Sequence, residues 1–596
     1  MASSLAPPPA AVAREEYTPT GAPLRTPTGA PPARVAPTPR QWQLAAAAWP
    51  TLLVAAVLCL LTFVAGAGLT NGGLNLGPMT GVEIGLTLGC GLAAAVALAL
   101  APAGRPVYGR WPAILLLAFA ALSAFSILWS VQPDASWQDA SRLFAYGAVM
   151  GLAVLLARAA PGRWPAVLGG VVLASAIVCG YALLTKVFPS DLGGEQITYY
   201  ARLREPYGYW NATGLAAALG AIGCMWLGAR RNGHALLSAL AYPAMGIMLV
   251  TLLLAYSRGA LATLLLGLAL WFCIVPLRLR GAAVVVIGAL GAAVVVGWDF
   301  STAALTTNTA TLAERILAGH QLGVLLVAMV LVLALAGLGV GFVLDSHRFP
   351  ASARRRLGTV LMSLPVLAVL ALLVALGASH RGLYGSVSHD LGSLTNPNAT
   401  VPANGPNRLT ALGSARAAYW QEALEVFAAH PALGAGAAGY ETARLRYRTK
   451  PIHVGQAHGF AVQTLADLGI VGLALALALL AAWLVAAGRS THPFNRRWSG
   501  WRWRPCSGAA AHYSAERVGL LTMVCVVVTF GIHSFVDWTW YAPGLACAAL
   551  LCAGWVAGRG PLTPEPRGRH LPSARAIDPL YGAAAVAIAV ATLLAA

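Results

Sequence analysis

Charge is scarce in this sequence. Of 596 residues only 10% are Asp, Glu, Lys or Arg, where a soluble protein carries about 25%. That scarcity excludes a soluble enzyme and a disordered chain. Acid is scarcer than base, with 20 Asp+Glu against 39 Lys+Arg and a formal charge of +19. Lysine is nearly missing and occurs only at Lys186 and Lys450. Eight of the nine cysteines lie inside apolar segments: Cys59, Cys90, Cys179, Cys224, Cys273, Cys525, Cys547 and Cys552. Cys506 is alone in a polar loop, and no CxxC occurs, so neither a disulfide framework nor a zinc site is expected. Also missing are G-x-S-x-G, a Walker A loop and the kinase motifs, which leaves hydrolase and NTPase readings without residues. His380, His389 and His453 show no H-x-H or H-E-x-x-H spacing, so no metal is expected. No apolar run follows the first few residues, so the start does not read as a signal peptide. Residues 1–40 are instead rich in Pro, Ala, Thr and Arg, with TPTGAP at 18–23 and again at 26–31. Such a segment cannot bury a core and reads as a disordered cytoplasmic tail.

What is abundant is apolar. The AVILMFWYC fraction is 58%, and a spanning helix needs about 20 such residues. On that measure helices fall near 47–69, 80–103, 111–130, 141–158, 164–187, 211–229, 235–256, 259–276, 281–298, 319–344, 357–378, 458–487, 517–534, 541–557 and 579–596. The fold class expected is an all-α polytopic membrane protein with about 14–15 transmembrane helices. One transmembrane part covers 47–378 and a second 458–596, with a large loop at 379–457 between them. Arginines concentrate in alternate loops, at Arg105/Arg110, Arg158/Arg163, Arg230/Arg231, Arg278/Arg280, Arg348, Arg354–Arg356, 489–517 and 559–575. The positive-inside rule then puts those loops and the N-terminus in the cytoplasm. The basic excess is therefore mostly topology, and no nucleic-acid partner is expected.

This topology puts the 379–457 loop outside, much longer than a connector needs to be. Ser393–Asn407 is rich in Asn, Pro, Thr and Gly and reads as irregular. An amphipathic helix follows at about 412–429, with Tyr419, Trp420, Ala423, Leu424 and Phe427 on one face, and His430-Pro431 stops it. Gly434-Ala-Gly436-Ala-Ala-Gly439 fits G-x-G-x-x-G, but a helix precedes it where a dinucleotide fold needs a strand. A glycine turn toward Tyr440 is the better account.

Outer-face arginines are the main functional signal. Arg202 and Arg204 precede the sixth helix, Arg258 sits in a tight Tyr256-Ser257-Arg258-Gly259 turn, and Arg416 opens the loop helix. Arg444, Arg446 and Arg448 follow and read equally well as a solvated basic face. An Arg near the bilayer is costly, which argues for a partner or a job, and its fork matches phosphate oxygens. His458, in Gln456-Ala-His458-Gly459, stands where the loop re-enters the membrane and could take a proton from a hydroxyl at neutral pH. A capping histidine is the plainer reading of that residue alone. Glu83 is the clearest acid well inside a helix. Asp467, further along the helix from His458, suits either a partner for a buried Arg or a polar group facing a pore.

Arg416-x-x-Tyr419-Trp420-x-x-Ala423-x-x-x-Phe427-x-x-His430-Pro431-x-x-Gly434-x-Gly436, followed by His458-Gly459-x9-Gly469-x-x-Gly472, resembles the O-antigen ligase/polymerase family. Ser257-Arg258-Gly259, Tyr207-Gly-Tyr-Trp-Asn211 and His533-Ser-Phe-Val-Asp537-Trp538 are similar to its other motifs. The likeness covers roughly 110–560 and is strongest at 408–472. It implies a GT-C-like helical enzyme in the bacterial cytoplasmic membrane that needs no metal, nucleotide or other cofactor. Such an enzyme takes a glycan from undecaprenyl pyrophosphate at the outer face and moves it to a hydroxyl of a glycan, lipid-linked sugar or protein. The resemblance gives Arg258 and Arg416 the pyrophosphate and His458 the acceptor, as the catalytic set. Arg202, Arg204, Asn211, Tyr419, Trp420 and Gln456 are then the candidate substrate-binding residues. Gly459 departs from the polar residue usual after this His, which leaves Gln456 or Gln463 to serve in its place. A polymerase of lipid-linked units, a protein O-oligosaccharyltransferase and a transporter without chemistry stay open as alternatives.

Overall fold

The computed structural model describes residues 76–562 and 579–595, except 100–105, 193–199, 232, 347–349, most of 351–381, 401, 412, 449–450, 494–495, 500–501 and 506–513. The tail at 1–40, the helix expected at 47–69 and most of that at 357–378 lie outside the described residues. So do Cys59 and Cys506.

The chain folds as an all-α polytopic membrane protein. The helices are α1 (Leu76–Ala99), α2 (Arg110–Phe125), α3 (Pro133–Ala159), α4 (Trp164–Val187) and α5 (Trp210–Ala229). Then come α6 (Ala235–Leu254), α7 (Arg258–Ile274), α8 (Arg278–Ser301) and α9 (Leu312–Ser346). The long loop carries α10 (Gly382–Thr395) and α11 (Arg416–Ala429). The chain re-enters at α12 (Phe460–Thr491) and continues through α13 (Ala515–Val536), α14 (Pro543–Arg559) and α15 (Pro579–Ala595). Among the described residues, ten helices are long and apolar enough to cross a membrane, and the apolar α7, α14 and α15 are shorter. Two short strands, Arg496–Ser499 and Arg502–Pro505, pair antiparallel between α12 and α13. They are an addition to the expected all-helical chain, at a place where Trp and Arg alternate.

Local chemistry explains the starts. Proline opens α3 and α14, where a missing N–H costs nothing. Ser257 Oγ accepts from the Ala260 N–H and caps α7, and Ser514 does the same for α13 from Arg517. Small residues then let the helices close on one another. On α14 a Cβ at Gly554 would sit 2.6 Å from the Met150 carbonyl of α3, and one at Gly558 would sit 2.5 Å from that of Val154. The innermost span is α5, 94% of whose apolar window is buried.

Contacts sort the helix ends into two groups. At one end Arg280 donates to the Arg230 carbonyl at 3.1 Å, Arg559 pairs with Glu516, and Arg517 donates to the Thr491 and His492 carbonyls at 2.9 and 2.7 Å. At the other end the turns before α3, α5, α7 and α14 meet the long loop. Ser126 Oγ accepts from the Ala437 N–H at 2.9 Å, and Ser136 Oγ donates to its carbonyl at 2.7 Å.

The segment expected to be irregular differs in part, because α10 runs through Ser393 to Thr395 before the chain becomes irregular. α11 starts at Arg416 rather than near 412.

Candidate functional site

Four segments far apart in sequence converge at the loop end of the bundle. They are the turn before α5, the turn before α7, the start of α11 and the start of α12. Together with Arg408, from the short turn Pro406–Leu409, they line a cavity of about 200 Å³ whose walls include Arg202, Tyr209, Trp210, Tyr256, Arg258, Arg416, Tyr419 and His458. Four guanidinium groups thus face one space.

Asp537, fully buried at the end of α13, is the carboxylate paired with Arg416. It accepts from Arg416 Nη2 at 2.5 Å, Tyr209 Oη at 2.7 Å, Asn211 Nδ2 at 2.6 Å and the Trp538 N–H at 2.8 Å. Burial alone would raise its carboxyl, but Arg416 and the nearby histidines outweigh that and hold it below the ordinary Asp value. Burial likewise works against the charge on Arg416, and Asp537 and Tyr209 reverse it, so the guanidinium is held above its ordinary value. Among the described residues, Arg416 Nε is buried without a hydrogen-bond partner. Arg408 shows the opposite balance. Burial and the charges of Arg258 and Arg416 lower its affinity for the proton, so positive charge exceeds negative here.

Arg202 is buried and stacked on Trp210 at 4.1 Å. Its Nε and Nη2 donate to the Ala255 carbonyl, both at 3.1 Å, and Nη2 also to that of Tyr256 at 3.2 Å. Tyr256 has φ 47°, a left-handed conformation costly for an aromatic residue. Arg202 is thus the staple that holds this turn. Arg258 is held by the loop in turn, with Nη1 on the Ala411 carbonyl and Nη2 on that of Gly413 at 2.9 Å.

His458 also has a left-handed backbone, φ 56°. Its ring lies between Tyr419, 5.4 Å away, and Trp538, 6.3 Å away. Nδ1 is 2.9 Å from the Gln456 carbonyl. A carbonyl can only accept, so Nδ1 carries the proton and Nε2 keeps its lone pair. Burial lowers the pKa of His458, partly offset by Asp537.

The lower frame explains how the loop presents these groups. Gln463 Oε1 accepts from the Ala457 N–H at 2.6 Å, and its amide donates to Asp467 Oδ2 at 2.8 Å. Asp467 Oδ1 accepts from the Tyr440 N–H at 2.9 Å. Among the described residues Asp467 therefore pairs with no arginine, and it clamps the glycine turn. Gly434 and Gly436 have φ 67° and 96°, and a Cβ on either would come within 2.3 Å of Asp467 or Ser130. Arg444 is buried against Glu422 at 2.6 Å, inside the loop's own small core, and not on a solvated face.

The structure thus gathers Arg202, Asn211, Arg258, Arg416, Tyr419 and His458 of the residues expected from the sequence. Arg204 does not line the cavity and lies 3.4 Å from Glu205. Trp420 faces a different groove and donates Nε1 to the His458 carbonyl at 3.3 Å. A Cβ at Gly459 would come within 3.1 Å of that indole nitrogen, a tight contact. Gln456 lends its backbone carbonyl, and the Asn211 side chain is taken up by protein partners. Sequence reasoning did not single out Arg408, Tyr209, Trp210, Tyr256 or Asp537 as site residues. The available signals for Asp537 were its place in the family-like His533-Ser-Phe-Val-Asp537-Trp538 motif and its acidity, in a chain with only 20 acids, at a junction between two spans.

Residues 315–477 match a protein-family model described as O-antigen ligase. The matched stretch holds Arg408, Arg416, Tyr419 and His458, and the cavity is completed by residues outside it. No curated protein matches the chain.

Proposed function

We propose that this chain, whose residues 315–477 match the O-antigen ligase family model, moves a glycan from undecaprenyl pyrophosphate to an acceptor hydroxyl. The reaction takes place at the outer face of the bacterial cytoplasmic membrane, with the 379–457 loop outside and the Arg-rich loops in the cytoplasm. The observation that carries this reading is the charge of the cavity. Arg202, Arg258, Arg408 and Arg416 face it, and Asp537 pairs with Arg416. A cluster of that sign favours a multiply charged anion, and guanidinium groups fit phosphate oxygens.

His458 supports the other half of the reaction. Its Nε2 takes the proton of the acceptor hydroxyl while that oxygen forms a bond to the anomeric carbon. The bond from that carbon to the pyrophosphate oxygen breaks, and the electron pair leaves with the lipid pyrophosphate. Arg416 and its neighbours stabilise the departing charge. The leaving group is already a stable anion, so the residues named supply the base and the charge stabilisation that the step needs. The acceptor is a glycan, a lipid-linked sugar or a protein.

The test is transfer by the full-length protein in membrane vesicles, using a glycan-charged polyprenyl pyrophosphate. Wild type transfers, whereas Arg416→Lys and His458→Ala fall to about a hundredth or less. Unchanged transfer by both variants would refute the assignment.

A further inference from the structure

Asn211 was expected to touch substrate, yet its amide is fully engaged within the protein. Nδ2 donates to Asp537 at 2.6 Å and to Tyr209 Oη at 2.7 Å, and Oδ1 accepts from Ser257 Oγ at 2.8 Å. Each of these partners leads to an arginine. Asp537 holds Arg416. Ser257 caps the helix whose first residue is Arg258, through the Ala260 N–H at 3.3 Å. Asn211 itself is buried at the start of α5, the most enclosed span of the bundle.

We infer that Asn211 is a positioning residue that locks Arg258 and Arg416 into one register, so that two guanidinium groups from separate elements meet the same anion. This rests on the pyrophosphate reading above. An amide suits the position because it donates on one side and accepts on the other. A carboxylate would face Asp537 with like charge, and leucine, similar in shape, could bond neither neighbour. The relay ties the turn before α7 to the loop helix α11 without contacting either arginine directly. Its loss lets the two forks drift apart, and a misplacement of about 1 Å is enough to cost a large part of a rate.

Three variants of the full-length protein test this. Asn211→Leu and Ser257→Ala each lower kcat/KM for the glycan-charged lipid about tenfold or more, and combining them costs no more than the worse single change, because both cut one chain. Asn211→Asp keeps the acceptor for Ser257 and loses the donor to Asp537. Two facing carboxylates raise each other's pKa, so acidification protonates the new side chain and restores a donor. The ratio of the Asn211→Asp rate to the wild-type rate therefore climbs as pH falls from about 8 to about 6. This recovery also separates a positioning role from misfolding, which acid would not repair. Multiplying losses in the double variant, or a flat ratio, overturns the relay. Binding of glycan-free polyprenyl pyrophosphate to wild type is measured alongside. Failure of wild type to bind or transfer would sink the functional reading, whereas normal wild-type behaviour with multiplying losses would sink the relay alone.

Discussion

The Nδ1 proton of His458 is committed to the Gln456 carbonyl, so Nε2 is the atom available to take a proton. Burial keeps the ring neutral further into the acid range than an ordinary histidine, whose pKa is about 6.5. A base works while unprotonated, so the acid limb of the transfer rate should lie below that value. His458→Gln tests the assignment, since glutamine can still bond the backbone but cannot act as a base. Its rate should drop about a hundredfold or more, with the acid limb gone. An active glutamine variant with an unchanged pH curve would return His458 to a capping role. Arg258 invites a different measurement. Its fork bridges two loop carbonyls, Ala411 and Gly413, and an ammonium cannot span both in the same way. Arg258→Lys should therefore lower transfer about tenfold or more and also speed amide exchange of the 402–416 segment, while Arg416→Lys slows transfer without that loosening.

At the scale of elements, the glycine turn 434–439 and the first turns of α12 behave as one unit. α12 breaks at Gly469, φ 62°, and the loop backbone fills the gap. The Ile470 N–H donates to the Pro431 carbonyl at 2.9 Å, and the Gly436 N–H to that of Asp467 at 2.9 Å. Irregular backbone at this depth is tolerable because protein covers it. The glycine spacing was legible as a turn from the sequence. Its partner was not, because Asp467 meets Tyr440 only across the fold. The same limit applied to Arg444, whose neighbours in sequence suggested a wet face and whose partner is Glu422. Gly436→Ala should cost about 1–3 kcal/mol of loop stability, since alanine at φ 96° would be strained and would also strike Ser130. Faster amide exchange over 434–448 with α5 and α7 unchanged would show it. Uniform exchange in wild type and variant would mean that the turn adapts freely.

Across the whole molecule, the apolar runs among the described residues located the spans, most to within a few residues, because a bilayer-length helix is a strong one-dimensional signal. The polar starts of α3 and α9, seven or eight residues earlier than expected, were not legible that way. The site was readable only where a residue type was out of place, as with an arginine in a tight turn or a histidine at a membrane re-entry. Tyr209 and Trp210 stood in a family-like motif and Tyr256 in the arginine turn, but as residue types they were not out of place, because aromatic residues are ordinary at the ends of spans. Orientation is the property that joins the two scales. The end of the bundle carrying Arg163, Arg230, Arg280, Arg517 and Arg559 is distinct from the end carrying the cavity, and the basic one should face the cytoplasm. His453 has an 85% exposed side chain at the cavity end, and Arg163 is exposed between α3 and α4. A membrane-impermeant thiol reagent should therefore label His453→Cys in intact cells, and Arg163→Cys only after permeabilisation. The native cysteines among the described residues are buried except for Cys273, so the parent protein without the introduced cysteine is labelled alongside, to subtract what Cys273, Cys59 and Cys506 contribute. The reverse pattern would place the cavity in the cytoplasm, where a lipid-linked glycan already carried to the outer face could not reach it, and the proposed reaction would fall with it.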